Sequence, residues 1–261
     1  MGLSDRMSLR HGGGGARRRT GQDVSLTPRE EIMSNPRACI ARNRLWRGDI
    51  LPFLPIERNY FIIRTAPYDV VALTQDLRRA EEATEWASKD MHTHKWDSIA
   101  LHSHDGIAQS HPVSIAGADL HRYRPTRVLE SCPYIHDILR GLGTDIYLVR
   151  LLRLKAGGKI KFHTDESVFK QRYDIIRCHV PIVTHPGCRF QLGCPIQRPA
   201  SGSDGVWNAD VVHDRFLTPG YLWFTNVNAL HAVENNSPVD RVHLVIDMKP
   251  TKEMLRRIYG A

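Results

Sequence analysis

The stretch YDIIRCHVPIVT, Tyr173–Thr184, decides the fold. It is rich in β-branched residues, lies between polar segments and is short for a helix. Read as a strand, its side chains alternate. Tyr173, Ile175, Arg177 and His179 share one face, and Ile176, Cys178 and Val180 share the other. An Arg and a His on an otherwise apolar face either meet solvent or line a cavity that holds an anion, because a lone buried charge costs about 3–5 kcal/mol. The same texture runs outward from Asp145. DIYLVRLLRLK (145–155), GKIKFHTD (158–165), CRFQLG (188–193), GYLWFTN (220–226), HAVENN (231–236) and DRVHLVIDM (240–248) are short β-prone runs split by Gly, Pro, Asn and Asp. This spacing predicts a β-sandwich or barrel, not a parallel sheet with crossover helices. The expected fold is mainly β with flanking helices (α+β), a β jelly roll over 145–248.

The first half reads differently. Apolar residues at helical spacing (Val70, Leu73, Leu77, Ala80, Ala83) predict an amphipathic helix from Asp69 to about Asp90. CPYIHDILRGLG (132–143) predicts a short helix that opens at Pro133 and stops at Gly141 and Gly143. Tyr60–Arg64 reads as a strand. Residues 91–115, rich in His, Ser and Gly, read as loop with one short strand around Ile99–Leu101. A basic helix closes the chain at 250–259. These readings give a disordered basic arm over 1–45 and one domain over 46–261, with a helical and loop part at 46–144.

Bulk properties exclude several classes. The chain has 261 residues, 41% hydrophobic and 25% charged, ordinary values for a globular domain. No apolar run approaches the roughly 18–20 residues that span a bilayer, and the N-terminus lacks the apolar core of a signal peptide. The expectation is a cytoplasmic protein without a membrane partner. The net charge of +8 is concentrated in residues 1–47, which carry ten Arg against four acidic residues. A Gly-rich charged tail without aromatics argues against nucleic acid as a specific partner. The five cysteines (Cys39, Cys132, Cys178, Cys188, Cys194) show no Cys-x-x-Cys spacing and read as reduced thiols.

The chemistry lies in the second half. His163 and Asp165 form a His-x-Asp at the end of one strand, and two residues apart they project to the same side. With 14 His and 18 Asp in the chain, one such tripeptide is what chance supplies. It gains meaning from His231 after another strand and Arg241 ten residues beyond. Two imidazoles and one carboxylate on one face of a metal leave coordination sites open, the facial triad of non-haem Fe(II) oxygenases. Arg241 shares a strand face with His243 and Val245, and its planar fork suits a carboxylate. The pairs His92/His94 and His102/His104 lie in the predicted loop and read as substrate-facing or solvated, not as a zinc site.

HTD (163–165), RCHVPIVT (177–184) and GYLWFTNVNALHAVENNSPVDR (220–241), with WDSIALHS (96–103), PTRVLESCPYI (125–135) and RLLRLKAGGKIKFH (150–163) upstream, resemble the aspartyl/asparaginyl β-hydroxylase family of Fe(II)/2-oxoglutarate-dependent oxygenases. The resemblance covers about residues 59–258. It implies a double-stranded β-helix, a cupin-like jelly roll. It implies Fe(II) held by His163, Asp165 and His231, and 2-oxoglutarate held by Arg241 with His179 near its chelating end. It implies Arg177 on a substrate carboxylate, and O2 as the oxidant. Asp165 completes the triad where the animal enzyme has Gly, and Leu152 stands where that enzyme has Ser. The implied activity is hydroxylation of an unactivated C–H of an amino acid, free or as an aspartyl or asparaginyl residue in a peptide or protein. 2-Oxoglutarate would leave as succinate. A cupin-like metal- or ligand-binding module without oxygenase activity, and a jelly-roll isomerase, remain the other readings of the same residues.

Overall fold

The computed structural model describes residues 60–91, 94–108, 119–165, 175–197 and 207–259. The basic arm and His92 lie outside them. Twelve strands form two stacked halves of one roll. They are β1 (Tyr60–Ile62), β2 (Ala87–Met91), β3 (His94–His104), β4 (Tyr123–Pro125), β5 (Ile146–Leu154), β6 (Lys159–His163), β7 (Ile176–Val183), β8 (Cys188–Gln197), β9 (Asn208–Arg215), β10 (Trp223–Thr225), β11 (His231–Asn235) and β12 (Arg241–Met248). Every pairing is antiparallel. One half runs β1-β10-β7-β12-β5-β3, with β2 and β4 on β3. The other runs β6-β11-β8-β9. A single bridge, His94 to Ile160, joins them. From β5 to β12 the chain crosses between the halves at every step except the β8–β9 hairpin, with β5, β7, β10 and β12 in one and β6, β8, β9 and β11 in the other.

The larger half is covered outside by helices α1 (Val70–Ala83) and α3 (Pro133–Gly141), with the short α2 (Arg127–Glu130) and the terminal α4 (Lys252–Tyr259). Both faces of its central strands are thus buried, which explains their near-continuous apolar runs. The outer core takes Ile176, Cys178, Val180, Val242, Leu244, Ile246, Val149 and Leu151 against Leu73, Leu77, Ile135 and Ile138. The alternate residues of the same strands, Arg150, Arg177, His179, Arg241, His243 and Asp247, are buried outside that core. Between the halves a smaller apolar cluster (Leu154, Phe190, Leu192, Trp223, Val233) fills one end of the roll. The polar set fills the rest.

Four expectations need correction. The first helix stops at Ala83, and Ala87–Met91 is a strand on β3, from Ala87 opposite Ser98 to Met91 opposite His94. Local helical spacing loses here to cross-strand contacts. Ser88 Oγ donates to Asp97 Oδ1 at 2.8 Å, and the Arg153 guanidinium lies 4.3 Å from the Trp86 ring centroid. The loop expected over 91–115 contains an eleven-residue strand, β3, because β2, β4 and β5 all pair with it. The strand β9, NADVVHDR, was missed. It is an exposed edge strand, and its polar composition carries no alternating apolar signal. Finally, Cys132, Cys178 and Cys188 are free and buried as expected, but Cys194 is disulfide-bonded.

Candidate active site

His163 ends β6 and His231 opens β11, and the two are opposite each other in the β6–β11 register. Strand pairing alone brings the rings together, at a centroid distance of 4.2 Å. His231 also stacks on Phe190 at 5.4 Å, which fixes its plane. Asp165 lies just past β6, where its backbone N–H donates to Val227 O at 3.0 Å. One ligand atom from each of His163, Asp165 and His231 lies within 4.8 Å of the others. Asp165 is 9% exposed and His231 4%.

The hydrogen bonds prepare both imidazoles in one sense. His163 Nδ1 donates to Lys161 O at 2.8 Å, and His231 Nδ1 donates to Ala229 O at 2.9 Å. A carbonyl only accepts, so each Nδ1 carries the hydrogen, and the His163 Nε2 lies 3.4 Å from Asp165 Oδ1. Burial, then the charge of His163, pushes the His231 pKa down to about 3, so it is neutral at pH 7. At Asp165, burial opposes ionisation. The Arg177 charge, then His163, outweighs it and holds the carboxyl far below the usual range. At His163 burial disfavours the cation, but Asp165 overcomes it and raises the pKa. A fixed carboxylate beside two imidazole nitrogens is a fit donor set for a divalent transition metal.

Arg177 is surrounded by carboxylates of the chain itself. Its Nε donates to Asp247 Oδ1 at 2.6 Å and its Nη2 to Asp247 Oδ2 at 2.8 Å, while Nη1 bonds Asp165 Oδ2. Its fork thus grips Asp247 and steadies Asp165. Arg150, on the inner face of β5, lies 3.8 Å from the same Asp247.

Arg241 is the opposite case. It is 4% exposed, and among the described residues no carboxylate pairs with it. Its Nη2 donates to His243 Nδ1 at 2.8 Å. Burial pushes its pKa down to about 10, so it remains a cation at neutral pH. His179 lies beside His243, with Nδ1 atoms 3.4 Å apart. The Nε2 atoms of both rings are buried without a hydrogen-bond partner. Burial, then Arg241, holds both histidines far below the usual imidazole range. A buried guanidinium with two neutral imidazoles suits a small dianion such as 2-oxoglutarate. Asp240, a candidate partner for Arg241, instead accepts from Ala156 N at 2.9 Å.

The structure thus gathers His163, Asp165 and His231 in one cluster, ties Arg177 to it through Asp165, and groups Arg241 with His179. The sequence reading placed His243 on the face of Arg241 but gave no site role to it, to Asp247 or to Arg150. The signal was strand parity: all three alternate with residues of the outer core. His102 is not solvated, being buried with Nδ1 bonded to Tyr147 O. His104 pairs with Asp105 at 2.9 Å.

Fold and site together define a double-stranded β-helix with a two-histidine, one-carboxylate cluster inside the roll. The model of the aspartyl/asparaginyl beta-hydroxylase family matches residues 57–250, and the chain belongs to that family. It is an Fe(II)- and 2-oxoglutarate-dependent oxygenase of the hydroxylase type, with O2 as cosubstrate. No protein of curated function matches the chain by sequence. Among solved structures it is similar to a 2OG-Fe(II) oxygenase family oxidoreductase from Burkholderia pseudomallei, with 15% identity over 74% of this chain and 86% of that one, at a TM-score of 0.45. It is also similar to a Pseudomonas putida prolyl-4-hydroxylase, with 16% identity over 74% of this chain and 91% of that one, at 0.41. Neither likeness is strong enough to transfer a substrate. Among the described residues no helix is long and apolar enough to cross a membrane.

Proposed function

We propose that the protein hydroxylates an unactivated C–H of an amino acid, free or within a peptide or protein, at a site built from His163, Asp165, His231, Arg241, His179 and Arg177. His163 and His231 would hold Fe(II) through Nε2, and Asp165 through a carboxylate oxygen. Arg241 would hold the distal carboxylate of 2-oxoglutarate, with His179 beside its chelating end. When bound, iron, 2-oxoglutarate and dioxygen supply the oxidation, in which 2-oxoglutarate becomes succinate and CO2 and a C–H becomes C–OH. The rest is the work of the chain. Lys161 O and Ala229 O fix the tautomers of the two imidazoles. Arg177 keeps Asp165 ionised and aimed, and presents positive charge toward the substrate. The apolar cluster behind Trp223 and Phe190 excludes water from that end of the roll.

The observation that carries this reading is the convergence of three ligand atoms within 4.8 Å. The test is succinate release with Fe(II), ascorbate and 2-oxoglutarate, screened over free amino acids and over Asp- and Asn-containing peptides. Asp165→Ala is expected to lose at least about 100-fold of the turnover, as for removal of a metal ligand or its immediate support. Wild-type turnover in that variant removes Asp165 from the ligand set.

A further inference from the structure

We infer that Arg150 anchors the substrate by pairing with a carboxylate, so that the enzyme selects substrates with a free carboxylate and rejects the corresponding amides. This rests on the hydroxylase reading above and names its substrate class.

The inference starts from an imbalance between two neighbouring guanidiniums. Arg177 already binds Asp247 through two bonds and Asp165 through a third. Arg150 has five N–H donors and, among the described residues, no carboxylate within hydrogen-bond length. The nearest carboxylate oxygen, Asp247 Oδ2, is 3.8 Å away, beyond hydrogen-bond length, and already accepts from Arg177 Nη2. The Arg150 Nε is buried without a partner, and the side chain is only 6% exposed. A buried, charged fork left this way is costly unless something else completes it.

Position supports the same conclusion. Arg150 stands opposite Val245 on β12, and Val245 stands opposite His179 on β7. One row of the inner sheet face therefore runs from the cosubstrate end to Arg150. The Arg150 guanidinium also lies 5.8 Å from the Trp96 ring centroid. The ring face attracts the cation and holds the guanidinium in place without using its N–H donors.

Chemistry sets the class of anion. The planar fork of Arg150 matches the two oxygens of a carboxylate and its charge, whereas a primary amide offers one acceptor oxygen and no charge.

The test uses the full-length protein with Mn(II) in place of iron and saturating 2-oxoglutarate, so that ligands bind without turnover. Probes are the free L-amino acids, each against its own primary amide, and N-acetyl-aspartate methylamide against its asparagine counterpart. Affinities are read by calorimetry, with 2-oxoglutarate titrated in the same series. At least one acid is expected to bind, with its amide at least tenfold weaker. Arg150→Gln should bring the acid down to the level of the amide while 2-oxoglutarate affinity stays within twofold. Arg150→Lys should keep the preference for acid at reduced affinity. An amide bound as tightly as its acid, no acid bound at all, or an Arg150→Gln protein with acid affinity intact overturns the inference. If Arg150→Gln does not fold, the acid–amide comparison on the wild type decides it alone. Failure of the oxygenase reading looks different: 2-oxoglutarate itself then shows no Mn(II)-dependent binding.

Discussion

At the scale of single residues, the inside of the roll is a set of polar groups whose protonation is fixed by burial. His243 is 1% exposed and held far below the usual imidazole pKa, first by burial, then by Arg241 and His179. The folded protein keeps it neutral where the unfolded chain, with a pKa of about 6.5, takes up a proton. The stabilisation is fully present above about pH 6.5 and is lost as pH falls below it, because the unfolded state then binds more protons. One such histidine gives a slope of about 1.4 kcal/mol per pH unit. His243→Asn should therefore flatten the fall in stability by about that amount between pH 6 and pH 5, measured by urea unfolding at each pH. An unchanged slope would mean that His243 is charged, or solvated, in the folded protein.

At the scale of elements, the sequence was legible wherever period and burial agreed. β7 and β12 present a polar face and an apolar face, and parity correctly separated Arg177 and His179 from Ile176, Cys178 and Val180. It was illegible where one element leans on another distant in sequence. Strand β3 has four partners, and none is announced in its His- and Ser-rich sequence. The His163/Asp165 pair and the lone His231 carried the candidate site only as a pattern, since their meeting depends on the β6–β11 register. Helix α3 shows the same dependence. Its N-cap residue Cys132 supplies no side-chain cap. Instead Asp76, fully buried on α1, accepts from Ile135 N at 2.8 Å, and its other oxygen from Arg79 at 2.7 Å. A carboxylate from one helix thus caps another. Asp76→Ala leaves the Ile135 N–H buried and unpaired, and should cost about 2 kcal/mol. The urea midpoint is expected to fall with the m-value unchanged. Loss below about 0.5 kcal/mol would show that water replaces the carboxylate.

At the scale of the whole molecule, the roll gives up stability to keep polar groups in its interior. Its outer core is apolar and closed by helices, whereas its interior holds a guanidinium, Arg241, that no carboxylate among the described residues neutralises. An unpaired buried cation costs several kcal/mol, and apolar groups of similar volume often improve stability by about 1–4 kcal/mol. Arg241→Leu is therefore expected to raise the stability of the ligand-free protein by about 1–3 kcal/mol, a gain in Tm despite the loss of a charged residue. The same change should weaken 2-oxoglutarate by about 2–5 kcal/mol, because the distal carboxylate loses its partner. The two effects separate in one melting experiment with Mn(II). At about 100 times Kd, 2-oxoglutarate adds about 2.7 kcal/mol to the wild type by mass action. At the same concentration it should add almost nothing to the variant, whose melting curve then starts higher and does not move. A variant that melts lower than wild type and still gains stability from 2-oxoglutarate would make Arg241 a structural residue. The dianion's anchor would then have to be sought elsewhere in the roll.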